Sequence, residues 1–408
     1  MNITRRDWRY TVCVVTGGHF LSHFYLLTFP PLVGPLRAEF GLSNTGLGVL
    51  VSVISLGLLL QLPVGQLVDR VGAKRVFVAG VALTAAGVGL AGFATSYLGL
   101  VAGAVVSGVG QSAFHPADYS LLDAVTGEGN EGKSFGVHTF GAYAGFAAAP
   151  VVVGGIALRA DWRIALLSVG GAGVLYAAVA ALTLDSPYRR QLAAAPASDD
   201  GGTIRDALST VWSPPVLLLL CFFVALTMAS KGVQTFTAVL VSTVYGLPES
   251  VGNLTLTGFF AGASVGILTG GVVADRFDPR RTIVSALAVS GAGTLALTLG
   301  PVPSHPVASV GGFAVIGFVM GLAYPSRDRL VSRYTPSGST GKGFGLIFTG
   351  ASVGGLVGPA LLGGVTDATT VTVTFVLVAA FFLAAGFVAF ALRWQSRSAV
   401  EAAPSGGD

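Results

Sequence analysis

Charge is what this sequence has least of. Of 408 residues only 10% are Asp, Glu, Lys or Arg, against roughly 25% in soluble globular domains. Hydrophobic residues make up 52%, and the mean hydropathy is +0.76. That deficit excludes an ordinary water-soluble fold and points to an all-α integral membrane protein. Cysteine is almost absent: the 2 present, Cys13 and Cys221, each sit in an apolar stretch, which excludes a disulfide framework and a cysteine metal cluster. Ten-residue segments of alternating polarity are missing, which excludes an outer-membrane barrel. A zinc-protease His-Glu-x-x-His and paired intramembrane aspartates are missing as well, and neither a membrane enzyme nor an ATP-driven pump is expected. No cofactor or metal is expected either. The pI of 9.2 is not a nucleic-acid signal, because the basic residues are scattered in short clusters between apolar runs.

What is present in excess is apolar length and glycine. Twelve stretches reach the ~20 residues needed to span a bilayer. They lie near 10–33, 46–67, 76–95, 97–124, 135–158, 164–184, 214–242, 253–273, 282–300, 307–332, 343–365 and 371–392. Glycine accounts for 58 of the 408 residues, about double the usual ~7%, as expected where membrane helices pack closely. The first stretch follows Arg5, Arg6 and Arg9. It is too long for a signal peptide and contains His19 and His23, so it is expected to remain in the mature chain.

Lysine and arginine orient the spans. Of 23 such residues, Arg37, Arg159 and Arg163 lie in loops on one side and Lys231 falls inside a span. The other 19 share the side of the N-terminus. That bias places both termini in the cytoplasm of a cell-membrane protein.

An internal repeat divides the chain. Gly65-Gln-Leu-Val-Asp69-Arg70-Val-Gly72-Ala-Lys74-Arg75 recurs 206 residues later as Gly271-Val-Val-Ala-Asp275-Arg276-Phe-Asp278-Pro-Arg280-Arg281. Gly132-Lys133-Ser-Phe-Gly136, with Gly141, Gly145 and Pro150 after it, recurs 209 residues later as Gly341-Lys342-Gly-Phe-Gly345, Gly350, Gly354 and Pro359. Gly108 and Pro116 match Gly317 and Pro325. Three matches at nearly one offset imply two pseudo-symmetric six-helix halves, 1–184 and 214–392. The polar segment 185–213 reads as a cytoplasmic linker, with a short surface helix over 203–212 as one option, and 393–408 reads as a disordered tail.

These repeated loops resemble the signature loop of the major facilitator superfamily, whose twelve helices in two halves match the whole chain. Gln61-Leu-Pro63-Val-Gly65, together with Gly108-Val-Gly-Gln111-Ser-Ala-Phe-His115-Pro116, is similar to the fosmidomycin-resistance-like efflux branch. That branch usually carries an acid directly after Phe-His-Pro, whereas here Asp118 stands one position later. The antiporter motif of span five is degenerate, reading Ala149-Pro150-Val-Val-Val-Gly154-Gly155, while span eleven keeps Gly358-Pro359 and Gly363-Gly364. The resemblance implies alternating access and a cytoplasmic gate of Gly65, Asp69, Arg70, Gly72, Lys74, Arg75, Asp123, Asp275 and Arg276. In its closed state Asp69 is expected at the start of span eleven near Gly343, Asp275 near Ser134, and Asp123 against Arg70, Lys74 or Arg75.

Polar groups inside spans are the candidate site, because a charge at mid-bilayer costs at least ~2.5–3.5 kcal/mol and normally faces a cavity. Thr227, Lys231 and Gln234 form a stripe on span seven, and Thr16, His19 and His23 form its counterpart on span one. Span four offers Ser107, Gln111, His115 and Asp118 on one face. The 209-residue offset maps Asp118 onto Arg327 and His115 onto Tyr324, so an acid–base pair across the cavity is expected to couple proton and substrate movement. Interfacial roles remain open: Lys231 snorkelling outward, Arg327 as part of a helix-end cluster. His138 is replaced by Ile347 in the repeat, an asymmetry that hints at a specific task. The expected substrate-binding set is His19, His23, Gln111, His115, Lys231, Gln234 and Tyr324. The expected function is proton-coupled efflux of a small amphipathic or anionic compound by a monomer in the lipid bilayer. Uptake of an organic anion by proton symport is the alternative, and a transport-incompetent sensor a minor one.

Overall fold

A computed structural model of the chain describes residues 5–126, 130–184, 214–301, 305–334 and 340–401. The expected linker 185–213 lies outside the described residues. In hydrocarbon each backbone N–H and C=O must be satisfied within its own segment, so the apolar runs become helices. The first half contains α1 (Arg5–Tyr25), α2 (Val33–Phe40), α3 (Asn44–Leu56), α4 (Gln61–Val71), α5 (Ala73–Gly92), α6 (Tyr97–Gln111), α7 (Phe114–Val125), α8 (Glu131–Arg159) and α9 (Trp162–Thr183). The second contains α10 (Pro214–Thr243), α11 (Glu249–Arg276), α12 (Pro279–Leu299), α13 (Pro306–Tyr334), α14 (Thr340–Ala368) and α15 (Val371–Glu401). The last helix therefore continues past residue 392, where the apolar run ends.

Nine helices among the described residues are long and apolar enough to cross a membrane, and α1 with the bent segment Pro30–Phe40 makes a tenth. The paired helices α3 and α4, joined by a 3₁₀ turn at Gly57–Leu60, and α14 complete twelve crossings. Two crossings are broken where the sequence reads as continuous. Pro63 stands in the first turn of α4 and Pro116 in the first turn of α7, where a missing N–H costs no hydrogen bond and a new helix starts readily. Elsewhere the starts are set by side-chain caps: Ser43, Ser96, Asp161 and Asp278 each accept a backbone N–H of the following turn.

Repeated glycines let equivalent helix pairs in the two halves approach backbone to backbone. A Cβ on Gly145 of α8 would lie 2.2 Å from the Phe20 carbonyl oxygen of α1. On Gly350 and Gly354 of α14 it would lie 2.8 and 2.7 Å from the Leu220 and Val224 oxygens of α10. Both helix pairs thus rest on the small-x-x-x-small spacing read from sequence.

Where the halves meet is uneven. The seams are α3 along α14 and α8 along α11, and their close contacts gather at the face away from the chain ends. There the Asp367 carboxylate at the end of α14 accepts bonds from Asn44 N and Nδ2 (3.0 and 2.7 Å) and from Thr45 N and Oγ1 (2.8 and 2.7 Å), the first turn of α3. A carboxylate at a helix N-terminus satisfies free N–H groups and meets the positive end of the helix dipole. Burial would raise the Asp367 carboxyl, but these bonds outweigh it and hold the pKa at about 2. Deeper along the seams Ser52 Oγ accepts from Ala360 N, Thr257 Oγ1 donates to the Ala147 carbonyl, and the Phe146 and Phe260 rings stack at 4.7 Å. At the face carrying the chain ends, a second apolar cluster of Val15, Val68, Phe77, Phe114 and Leu122 belongs to the first half alone. Among the described residues, the hydrogen bonds between the halves gather at the face away from the chain ends and along the seams.

Candidate functional site

In the first half, α1, α7 and α8 bring the candidate polar side chains together. An α-helical spacing of four places His19 and His23 on one face of α1, and the break at residues 112–113 lets α7 aim His115 and Asp118 at them. Asp118 is fully buried, and its Oδ2 lies 3.0 Å from His19 Nδ1 and 3.7 Å from His138 Nε2. The His19 and His138 rings stack at 3.8 Å, with His23 at 4.4 Å and His115 at 5.4 Å from His19. Tyr119 flanks the group, its ring 5.7 Å from His115 and 5.8 Å from His138. Four imidazoles and one carboxylate from three helices therefore share one site. His115 and His23 are partly exposed; His19, His138 and Asp118 are buried. Asp118 Oδ1, His115 Nδ1 and both ring nitrogens of His138 are buried without a hydrogen-bond partner.

The expected site residues fall into three groups. His19, His23, His115 and Asp118 are brought together. Gln111 is committed to packing: its Oε1 accepts from Ser22 Oγ at 2.7 Å and its Nε2 donates to the Ser22 carbonyl at 2.8 Å, fastening α1 to α6. The second half supplies Lys231, Gln234, Tyr324 and Arg327. Lys231 is buried rather than snorkelling, lies within electrostatic reach of His23, and makes no hydrogen bond or ion pair among the described residues. Gln234 keeps a buried, unpartnered Oε1. Arg327 does not reach across to Asp118. It bonds its neighbour Asp328 at 2.8 Å and lies over the Tyr324 ring at 4.5 Å, next to a cleft of about 210 Å³ lined by Phe222, Leu226, Ile283 and Met320. Tyr324 meets Tyr143 of the first half at 5.7 Å between rings.

The gate residues are apart at the face carrying the chain ends. Asp69, Arg70, Arg75, Asp123 and Arg276 are exposed, Gly65 is half-exposed where an added Cβ would meet nothing within 4 Å, and Gly72 turns the chain between α4 and α5 at φ 94°. Lys74 donates to the Leu184 carbonyl rather than to Asp123. Asp275 pairs with Arg329 of its own half, not with the start of α8. Ser134 there instead accepts from Trp8 Nε1 at 2.9 Å and Thr126 Oγ1 at 3.0 Å. The side chains at the start of α14, where Asp69 is expected to dock, lie outside the described residues.

Sequence reasoning listed neither His138 nor Ser22. The replacement of His138 by isoleucine in the repeat was the available signal for the first. Three motif spacings in the sequence run against the expectation of no enzyme and no ATP-driven pump, and the fold disarms each. Gly127 to Ser134 has the spacing of a phosphate-binding loop, yet it joins two membrane helices instead of a strand and a helix. Gly262-Ala-Ser264-Val-Gly266 and Gly350-Ala-Ser352-Val-Gly354 have nucleophile-elbow spacing but lie inside continuous helices, and Ser264 donates to the Phe260 carbonyl one turn back.

Comparison with known proteins accords with this geometry. The family model of the Major Facilitator Superfamily matches residues 15–252 and 224–408. The chain belongs to that superfamily. Among curated relatives, the fosmidomycin resistance protein of Escherichia coli is 25% identical over 380 residues, covering 90% of this chain and 89% of that protein. A probable nitrate/nitrite transporter of Mycobacterium tuberculosis is 25% identical over 357 residues, 82% of this chain and 85% of its own. A probable L-galactonate transporter of Escherichia coli matches over 143 residues at 26% identity, 35% of this chain and 32% of that protein. Among solved structures, a bacterial homolog of the human lysosomal transporter Spinster in an inward-facing and unoccupied conformation superposes with a TM-score of 0.79, at 16% identity over 96% of this chain and 98% of that one. As a member of this superfamily the chain is a multi-pass membrane transporter of small solutes, not an enzyme.

Proposed function

We propose that the chain is a proton-coupled exporter that works as a monomer by alternating access, exchanging a small amphipathic or anionic compound for protons. The observation that carries the reading is Asp118, a fully buried carboxylate whose Oδ2 lies 3.0 Å from the His19 Nδ1. A buried carboxylate is tolerable either protonated or paired, so taking up a proton there changes which partners it holds, and with them the relative stability of the two states of the cavity. His115 and His23, partly exposed, carry the proton between Asp118 and the cavity. Lys231, Gln234 and Arg327 form the substrate side, where two fixed cations favour an anion. The excess of Lys and Arg on the face of the chain ends supports a cytoplasmic position for both termini in the cell membrane. On that orientation the cavity opens to the cytoplasm, where an exporter loads its cargo. Asp69, Arg70, Gly72, Lys74 and Arg75, with Asp123, Asp275 and Arg276, form the gate that closes this side in the other state. The halves 1–184 and 214–392 then rock as bodies joined by 185–213.

Proton-symport uptake of an organic anion is the second reading, favoured by Lys231 and by relatives whose names specify nitrate, nitrite and L-galactonate. Proteoliposomes separate the two. With cargo added on one side, export by exchange moves protons opposite to the cargo; protons and cargo moving together would establish symport.

A further inference from the structure

We propose that His19, Asp118 and His138 form a binding site for a divalent transition-metal ion of the zinc class. Two imidazole nitrogens and a carboxylate oxygen, each offering one donor atom, all lie within 4.8 Å of one another. The separations from Asp118 Oδ2 are 3.0 and 3.7 Å. A tetrahedral ion with ligands ~2.0–2.1 Å away needs donors about 3.3 Å apart, so the three atoms need only small rotations to close on it. The donor types select the ion: imidazole nitrogen with one carboxylate suits zinc, cobalt or nickel, whereas magnesium and calcium require oxygen shells.

The buried atoms themselves point to a ligand. Buried polar groups in a folded protein are nearly always bonded, yet both ring nitrogens of His138 and Asp118 Oδ1 have no hydrogen-bond partner. A bound ion satisfies the His138 Nε2 that faces Asp118. Entry is available past His115 and His23, which are partly exposed and whose rings lie 5.4 and 4.4 Å from His19. All donors come from α1, α7 and α8 of one half, so the ion leaves the halves free to rock. Resting on the proposed proton route, the ion inhibits coupled transport by occupying the lone pairs of Asp118.

The test uses the full-length purified chain in detergent, stripped of metal and titrated with cobalt(II), whose visible absorption reports coordination by nitrogen and oxygen. One equivalent is expected to bind, zinc to displace it, and H138A and H138Q each to weaken it at least ~10–100-fold. H305A, which removes the one histidine outside the cluster, is expected to leave binding unchanged. Lack of saturable binding at ~100 μM, or wild-type affinity in both His138 variants, overturns the site. Flux is read separately. If cobalt binds as expected but leaves proton-coupled transport in vesicles intact, the Asp118 proton route fails and the metal site stands. If cobalt does not bind, the proton route is untouched and remains testable through D118N.

Discussion

The two halves share a backbone plan and carry opposite chemistry at equivalent positions. Where the first half has His115, Asp118 and His138, the second has Tyr324, Arg327 and Ile347. The first half therefore concentrates groups that exchange protons. The second supplies Lys231 and Arg327 as cations, with a tyrosine and an apolar cleft beside them. On the proposed reading, divergence at three or four equivalent positions makes one half the proton store and the other the anion receiver. Rocking presents them to each other and to alternate sides of the membrane.

The largest expected effect removes the first half's acid. D118N leaves a neutral amide that cannot release a proton, so transport driven uphill by a pH gradient is abolished, while cargo exchange down its own gradient continues. Retention of gradient-driven accumulation in D118N vesicles would place the coupling group elsewhere. Next come the cations of the second half. A hydrogen bond to a charged group is worth ~1.5–3 kcal/mol, so K231A and R327A should each raise KM for an anionic substrate about 10- to 100-fold with the proton dependence retained. KM values for the anionic substrate unchanged from wild type in both variants would remove the anion site.

The smallest effect belongs to the face away from the chain ends. D367N weakens an exposed set of bonds to Asn44 and Thr45 worth ~0.2–1 kcal/mol, shifting the balance of the two states up to about 5-fold. This should appear as greater labelling of a cysteine placed in the cavity by a reagent applied from that face. The Asp367 carboxyl is depressed to about 2, so its contribution is present in full above its ordinary carboxylate pKa and is lost only as pH falls toward 2. Between pH 5 and 8 it does not titrate, and D367N should leave the shape of the pH profile unchanged. A D367N profile that flattened in that window would assign the pH response to the seam and not to the histidine cluster.

The fold was legible from sequence because lipid forces every crossing into a long apolar helix, and because the repeat shows itself at one offset. The breaks at residues 57–60 and 112–113 were not legible, since Pro63 and Pro116 read equally as kinks within a helix. Span-by-span polarity found His19, His23, His115 and Asp118. It misassigned their partners: equivalence under the repeat pairs Asp118 with Arg327, but spatial contact is decided by how α1, α7 and α8 pack within one half. His138 was visible only as a difference between repeats. The loop around Asp69 was legible as a motif, and the side chains at the start of α14 where it is expected to dock lie outside the described residues. Asp367 was hidden, since an acid at a helix end has no sequence sign that it caps a helix more than 300 residues away.

The proton store in the first half can be tested directly by measuring proton release from the purified transporter in weakly buffered solution as cargo is added. The cargo would be a compound that raises its thermal stability in a panel of organic anions and amphipaths. Wild-type protein should release protons in proportion to bound cargo, R327A should release them only at higher cargo concentration, and D118N should release none. Proton release from D118N equal to that of the wild type would contradict the assignment of coupling to the first half.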